Sequence, residues 1–158
     1  MEQATTQLIN AARTGHLETL KYLIGQNIDL EATDDKGYTA LIIACYNNQL
    51  EAARTLINAG VNVNSADFGG NTALMGVCFK GYPDIAELLI ENGADLNKQH
   101  GNGGTALMFA AMFGRNDLLK ILLSHGADKH ALDIRGMSVF DLAAQQGNEE
   151  GIALLESH

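Results

Sequence analysis

Histidines, cysteines and a recurrent aspartate are the residues here best suited to chemistry, and their spacing decides what is open to them. His16, His100, His125, His130 and His158 are scattered, and none forms a metal-ligand pair at helical spacing. Cys45 and Cys78 lie 33 residues apart, far from the close spacing of a zinc motif. The glycines of the Gly101–Gly104 stretch lack the lysine and the strand–helix context of a phosphate loop. Asp34, Asp67 and Asp133 recur at equivalent positions, where a carboxylate that accepts nearby backbone N–H groups stabilises a turn. Catalysis needs different residues converging in one protected site. Repeated, shallow and equivalent settings offer no such convergence, so no catalytic residue, cofactor or metal is expected and the chain reads as a non-enzyme.

The elements carrying these residues belong to a chain of 158 residues, 46% hydrophobic and 18% charged, which suits one globular domain over 1–158. The longest apolar stretches, such as 106–113, fall well short of the roughly 20 residues a bilayer-spanning helix needs. No basic start with a following apolar segment marks export, so a cytoplasmic protein is expected, although a removed leader would leave no trace. With 19 acidic against 10 basic side chains the net charge is −9. That balance repels phosphate backbones and anionic lipid, which excludes nucleic-acid and membrane roles. It would speed encounter with a partner protein bearing a basic patch.

Self-similarity organises everything else. Gly37-Tyr38-Thr39-Ala40-Leu41 recurs as Gly70-Asn71-Thr72-Ala73-Leu74, as Gly103-Gly104-Thr105-Ala106-Leu107, and more loosely as Gly136-Met137-Ser138-Val139-Phe140, each step being 33 residues. The columns Gly15, Asn48, Gly81, Gly114, Gly147 and Leu23, Leu56, Leu89, Leu122, Leu155 hold the same register. Five units follow, about 1–36, 37–69, 70–102, 103–135 and 136–158. Thr39 and its equivalents can cap a first helix, predicted over 40–47 in the second unit. Gly81, Gly114 and Gly147 sit just past the corresponding helix in the later units and end it cheaply, and a second helix is predicted over 50–59 in the second unit. Pro83 falls at the first position of the second helix in unit three, where proline is tolerated.

One such unit cannot bury its own apolar face, so stability is a sum of neighbour interfaces along a line. The small column Ala11, Ala44, Val77, Ala110, Ala143 lets paired helices approach closely. The column Ile24, Ile57, Ile90, Leu123 turns polar at Glu156, which suits a terminal cap and a monomer. Helices packed about 8–10 Å apart hold Cys45 and Cys78 too far apart for a disulfide, so two buried thiols in a reducing compartment are expected.

These residues resemble the ankyrin repeat family. The 33-residue period, the Gly-x-Thr-x-Leu start, Gly15-His16, and the Gly-Ala-Asp at Gly93-Ala94-Asp95 and Gly126-Ala127-Asp128 all match its consensus, over essentially the whole chain. The resemblance implies an all-α solenoid of antiparallel helix pairs joined by β-turn fingers, which binds protein through its finger tips and concave face. It also makes His16 a structural position. The consensus Thr-Pro-Leu-His becomes Thr-Ala-Leu followed by Ile42, Met75 or Met108, so apolar contact replaces the usual histidine network; this variant looks more bacterial than animal.

Carried over position by position, the variable tip residues are Asp35, Lys36 and Tyr38; Phe68, Gly69 and Asn71; Gly101, Asn102 and Gly104; Ile134, Arg135 and Met137. The exposed ends of the first helices are Arg13 and Thr14, Tyr46 and Asn47, Phe79 and Lys80, Met112 and Phe113, and Gln145 and Gln146. Five of the nine aromatic residues occupy these slots: Tyr38, Tyr46, Phe68, Phe79 and Phe113. Such side chains dominate interface energetics. The expected partner-binding set is therefore Lys36, Tyr38, Tyr46, Asn47, Phe68, Asn71, Phe79, Lys80, Met112, Phe113, Arg135 and Met137, centred on units two and three because the tip of unit four is bare. The expected function is protein–protein interaction. A stoichiometric, immunity-type inhibitor of another enzyme is the alternative, and an unrecognised enzyme a remote one.

Overall fold

A computed structural model describes residues 2–158. These residues form ten α-helices in five antiparallel pairs: α1 (Gln3–Thr14) with α2 (Leu17–Gly25), α3 (Ala40–Tyr46) with α4 (Leu50–Asn58), α5 (Ala73–Lys80) with α6 (Pro83–Glu91), α7 (Ala106–Met112) with α8 (Asn116–Ser124), and α9 (Val139–Gln145) with α10 (Glu149–Glu156). The odd-numbered helices stack in an inner row and the even-numbered ones in an outer row. Neighbours in the inner row approach more closely than those in the outer row, so the stack curves with the inner helices on its concave side.

Close approach of the inner row follows from its side chains. Ala11, Ala44, Val77, Ala110 and Ala143 are all buried. Leu23, Leu56, Leu89, Leu122 and Leu155 fill the seam behind them, so each unit closes the apolar face of its neighbour. Ile24, Ile57 and Ile90 are only half-buried, on the outer helices, whereas Leu123 is buried and Glu156 exposed. Lys129 closes the last helix, its Nζ donating to the carbonyls of Leu155 and His158, each at 2.8 Å.

Each inner helix from α3 onward starts on a hydroxyl. Thr39, Thr72 and Thr105 accept the N–H of Ile42, Met75 and Met108 at 3.2–3.3 Å, and Ser138 forms a reciprocal capping box with Asp141. The three threonines are buried, so each oxygen satisfies an N–H that water cannot reach. The first unit departs from this pattern. Its helix begins at Gln3, upstream of the repeat position, and Thr6 donates its hydroxyl to the Glu2 carbonyl instead of capping.

Four fingers, 34–38, 67–71, 100–104 and 133–137, link the pairs. In three of them an aspartate Oδ1 accepts two backbone N–H groups: Asp34 from Lys36 and Tyr38, Asp67 from Gly69 and Asn71, Asp133 from Arg135 and Met137, all at 2.9–3.0 Å. The expected turn-stabilising role of that column is thus present in the geometry. Adjacent fingers are also tied by backbone bonds, Phe68 N–H to Lys36, Gly101 N–H to Gly69 and Ile134 N–H to Asn102. Asn48 stands in a glycine column and adopts the same left-handed conformation, φ 57°.

Candidate partner-binding surface

Residues 33 apart fall one above the other, so the ends of successive inner helices build a surface row by row. The ring of Phe79 stacks nearly parallel to that of Tyr46 (centroids 6.2 Å, planes 10° apart) and meets Phe113 edge-on (4.6 Å, 78°). Edge-to-face geometry aligns the positive rim of one ring with the negative face of the other. Gly76 leaves room for this row, since a Cβ there would lie 3.1 Å from Tyr46 Cδ2. The Lys80 ammonium sits 5.0 Å from the Tyr46 ring centroid, within range of a cation–π contact. Tyr46 and Phe113 remain 42% and 43% exposed, while Phe79, gripped between them, is half-buried. Asn47 donates its amide to the Ile43 carbonyl, and Met112 is half-buried beside Phe113.

The finger residues divide into presented and packed. Phe68 is 77% exposed, and Lys36 and Arg135 are also exposed. Tyr38, Asn71 and Met137 are half-buried at the finger bases; Asn71 holds its amide 3.3 Å from both Asp67 carboxylate oxygens. Arg135 Nη2 lies 3.3 Å from Asp133 Oδ2. The backbone N–H of Met137 and the groups of Arg135 together hold the Asp133 carboxyl below the usual range.

Two cavities open on the concave side. A smaller one of about 200 Å³ lies among Tyr38, Tyr46, Asn71, Met75 and Phe79. A larger one of about 490 Å³ lies between the third and fourth fingers, lined by His100, Met108, Phe109, Met112, Ile134 and Arg135 among others. Phe109 is shared between the two. The expected set thus gathers Tyr38, Tyr46, Asn71 and Phe79 around the first cavity and Met112 and Arg135 around the second. Lys36, Asn47, Phe68, Lys80, Phe113 and Met137 line neither.

The family model for ankyrin repeats (three copies) matches residues 8–100 and 74–158, nearly the whole chain. The chain belongs to the ankyrin repeat family. No curated protein matches it as a relative. Ankyrin repeats are in general protein–protein interaction modules, and the all-α repeat solenoid described above is that fold.

On this ankyrin stack the charge is unevenly shared. Helices α3 and α7 carry no charged residue, α5 carries only Lys80 and α9 only Asp141. The outer helices instead repeat an acid in their first turn, at Glu18, Glu51, Asp84, Asp117 and Glu150, where it complements the helix dipole. Lys21, Arg54 and Lys120 offset the acids of α2, α4 and α8, so the excess negative charge of the helices sits on α6 and α10 of the outer row, and the concave wall is close to neutral and apolar.

Several cavity residues were outside the expected set: His100, Met108, Phe109, Ile134 and Leu142. One signal for them was available in the ankyrin pattern, because His100 breaks the aspartate column and Gly104 breaks the column of Tyr38, Asn71 and Met137. His16 Nδ1 accepts the Thr19 N–H at 3.3 Å and caps α2. Cys45 and Cys78 are free and buried, and burial pushes the Cys45 thiol up to about 12 and the Cys78 thiol higher still. No helix among the described residues is long and apolar enough to cross a membrane.

Proposed function

We propose that this ankyrin protein is a non-enzymatic interaction module that holds a partner protein against its concave wall and finger tips. The observation that carries this reading is the row Tyr46–Phe79–Phe113, two of whose rings remain more than two-fifths exposed on a wall with almost no charge. Exposed aromatic surface of this kind is costly to leave bare and supplies most of the energy of an interface when covered. Phe68, Lys36 and Arg135 would meet the partner from the finger side. The acidic outer helices would draw a basic surface from a distance and raise the association rate, while the contact itself is apolar. The two free buried thiols fit a reducing compartment such as the cytoplasm.

The test is affinity capture with the wild type, a Tyr46→Ala/Phe113→Ala variant, and Tyr22→Ala as a control on the outer helix α2, where Tyr22 is 66% exposed. Proteins bound by the wild type and the control but lost with the double variant support the concave wall. Proteins retained by the double variant and lost with Tyr22→Ala would move the interface to the outer side and end this reading.

A further inference from the structure

The larger cleft exists because one finger departs from the repeat at two places. Where the other fingers carry Asp34, Asp67 and Asp133, the third carries His100; where they carry Tyr38, Asn71 and Met137, it carries Gly104. The two changes are coupled in space. A Cβ on Gly104 would lie 2.6 Å from His100 Nε2, so the imidazole occupies the room the missing side chain leaves. The ring then leans on Phe109, with centroids 5.3 Å apart. The space beyond is the cleft of about 490 Å³, a volume typical of ligand-binding pockets, with Met108, Phe109, Met112 and Leu142 as its apolar wall.

Two of the residues lining the cleft carry free hydrogen-bond donors. His100 Nδ1 accepts the Asn102 N–H at 3.3 Å, which places the proton of the neutral ring on Nε2, a donor with no protein partner. Arg135 is 61% exposed and commits one contact to Asp133, leaving most of its five N–H donors free. Asp133 also lines the cleft as an ionised carboxylate, but it is 8% exposed and its oxygens are taken up, Oδ1 by two backbone N–H groups and Oδ2 by Arg135. Uncommitted donors beside an apolar wall complement a carboxylate that adjoins an apolar group.

We infer that this cleft is a recognition pocket for an acidic peptide segment of the partner, in which an apolar side chain enters against Met108, Phe109 and Met112 while the carboxylate of a neighbouring Asp or Glu is held by Arg135 and His100. The inference rests on the protein-binding reading and specifies what the partner must carry at this point. The cleft lies beyond the aromatic row, so a failed pocket leaves the capture experiment with Tyr46 and Phe113 unaffected.

The experiment is an NMR titration of the full chain carrying 13C-methyl methionine, with the blocked dipeptide acetyl-Leu-Glu-amide as probe. Saturable shifts of the Met108 and Met112 methyls, with Met75 unmoved, are expected. Acetyl-Leu-Gln-amide, lacking the charge, should bind about tenfold more weakly, the equivalent of one charge-assisted hydrogen bond. Arg135→Gln should weaken the acidic probe by a similar factor while sparing the neutral one. Gly104→Ala, which displaces the imidazole, should weaken the acidic probe as well. Equal binding of the two dipeptides, indifference to Arg135→Gln, or the absence of saturable shifts would overturn the inference. Binding of acetyl-leucine, with its terminal carboxylate, in place of acetyl-Leu-Glu-amide would overturn the side-chain carboxylate in favour of a chain terminus.

Discussion

Phe113 meets Phe79 edge-on, with ring centroids 4.6 Å apart and planes at 78°. The two residues do not occupy the same column of the repeat: Phe79 lies over Tyr46, whereas Phe113 follows Met112, the residue in that column. A departure from strict periodicity thus turns two stacked rings into a three-ring row. The row both stiffens the helix ends and presents surface, and these two roles can be separated.

Phe79→Ala should destabilise the protein more than Phe113→Ala, because Phe79 is half-buried between two rings and Phe113 has one neighbour ring. A double-mutant cycle on the pair should return a coupling of about 1 kcal/mol, the usual value for an aromatic pair beyond its area burial. Urea unfolding of the four proteins measures it. A coupling indistinguishable from zero would mean that the edge-on contact holds nothing.

Replacing the buried caps tests the start of the inner helices. Thr72→Ala and Thr105→Ala should each cost about 1 kcal/mol by thermal or chemical unfolding, since the N–H of Met75 or Met108 is left without a partner, while Thr→Ser at either position keeps the oxygen and should cost less. Equal losses for Ser and Ala would assign the effect to packing of the threonine methyl.

Asn48 holds φ at 57°, a conformation that glycine adopts without strain. Asn48→Gly should therefore leave stability unchanged or raise it by up to about 1 kcal/mol, and Asn48→Val should lower it. A loss on going to glycine would show that the asparagine side chain contributes more than its backbone angle costs.

The Asp133 carboxyl is held below its ordinary range in the folded protein by the N–H of Met137 and by Arg135. A depressed folded value means the unfolded chain takes up a proton first as pH falls. Its contribution is complete above the unfolded value of about 4 and disappears as pH drops through the lower folded value. The midpoint of thermal unfolding should fall with acidification below about pH 4, and less steeply in Asp133→Asn. Parallel curves for the two proteins would remove Asp133 from the acid response.

Cys45 and Cys78 should resist a thiol reagent at pH 8 in the native state, because burial keeps both thiols protonated and out of reach. Their modification rate then reports opening of the second and third units and should rise in step with unfolding as urea is added. Rapid reaction in native buffer would show that these units open independently of the stack.

The period, the helix pairs, the threonine caps, the aspartate turns and the family were legible in the residues alone. The physical reason is that each depends on local chemistry: a hydroxyl that reaches an N–H three residues on, a glycine that turns the chain, an apolar column that repeats every 33 positions. Stacking identical units then leaves little freedom in the fold. What only the tertiary structure decided is how the units differ from one another. Phe79 is gripped rather than presented because its two neighbours come from adjacent units; a cleft opens beyond Gly104 because the His100 ring folds into the room at that finger base; the acidic charge lies away from the concave wall because the helix rows face opposite ways. Each of these depends on side-chain rotamers and distances across units, which a one-dimensional register does not contain.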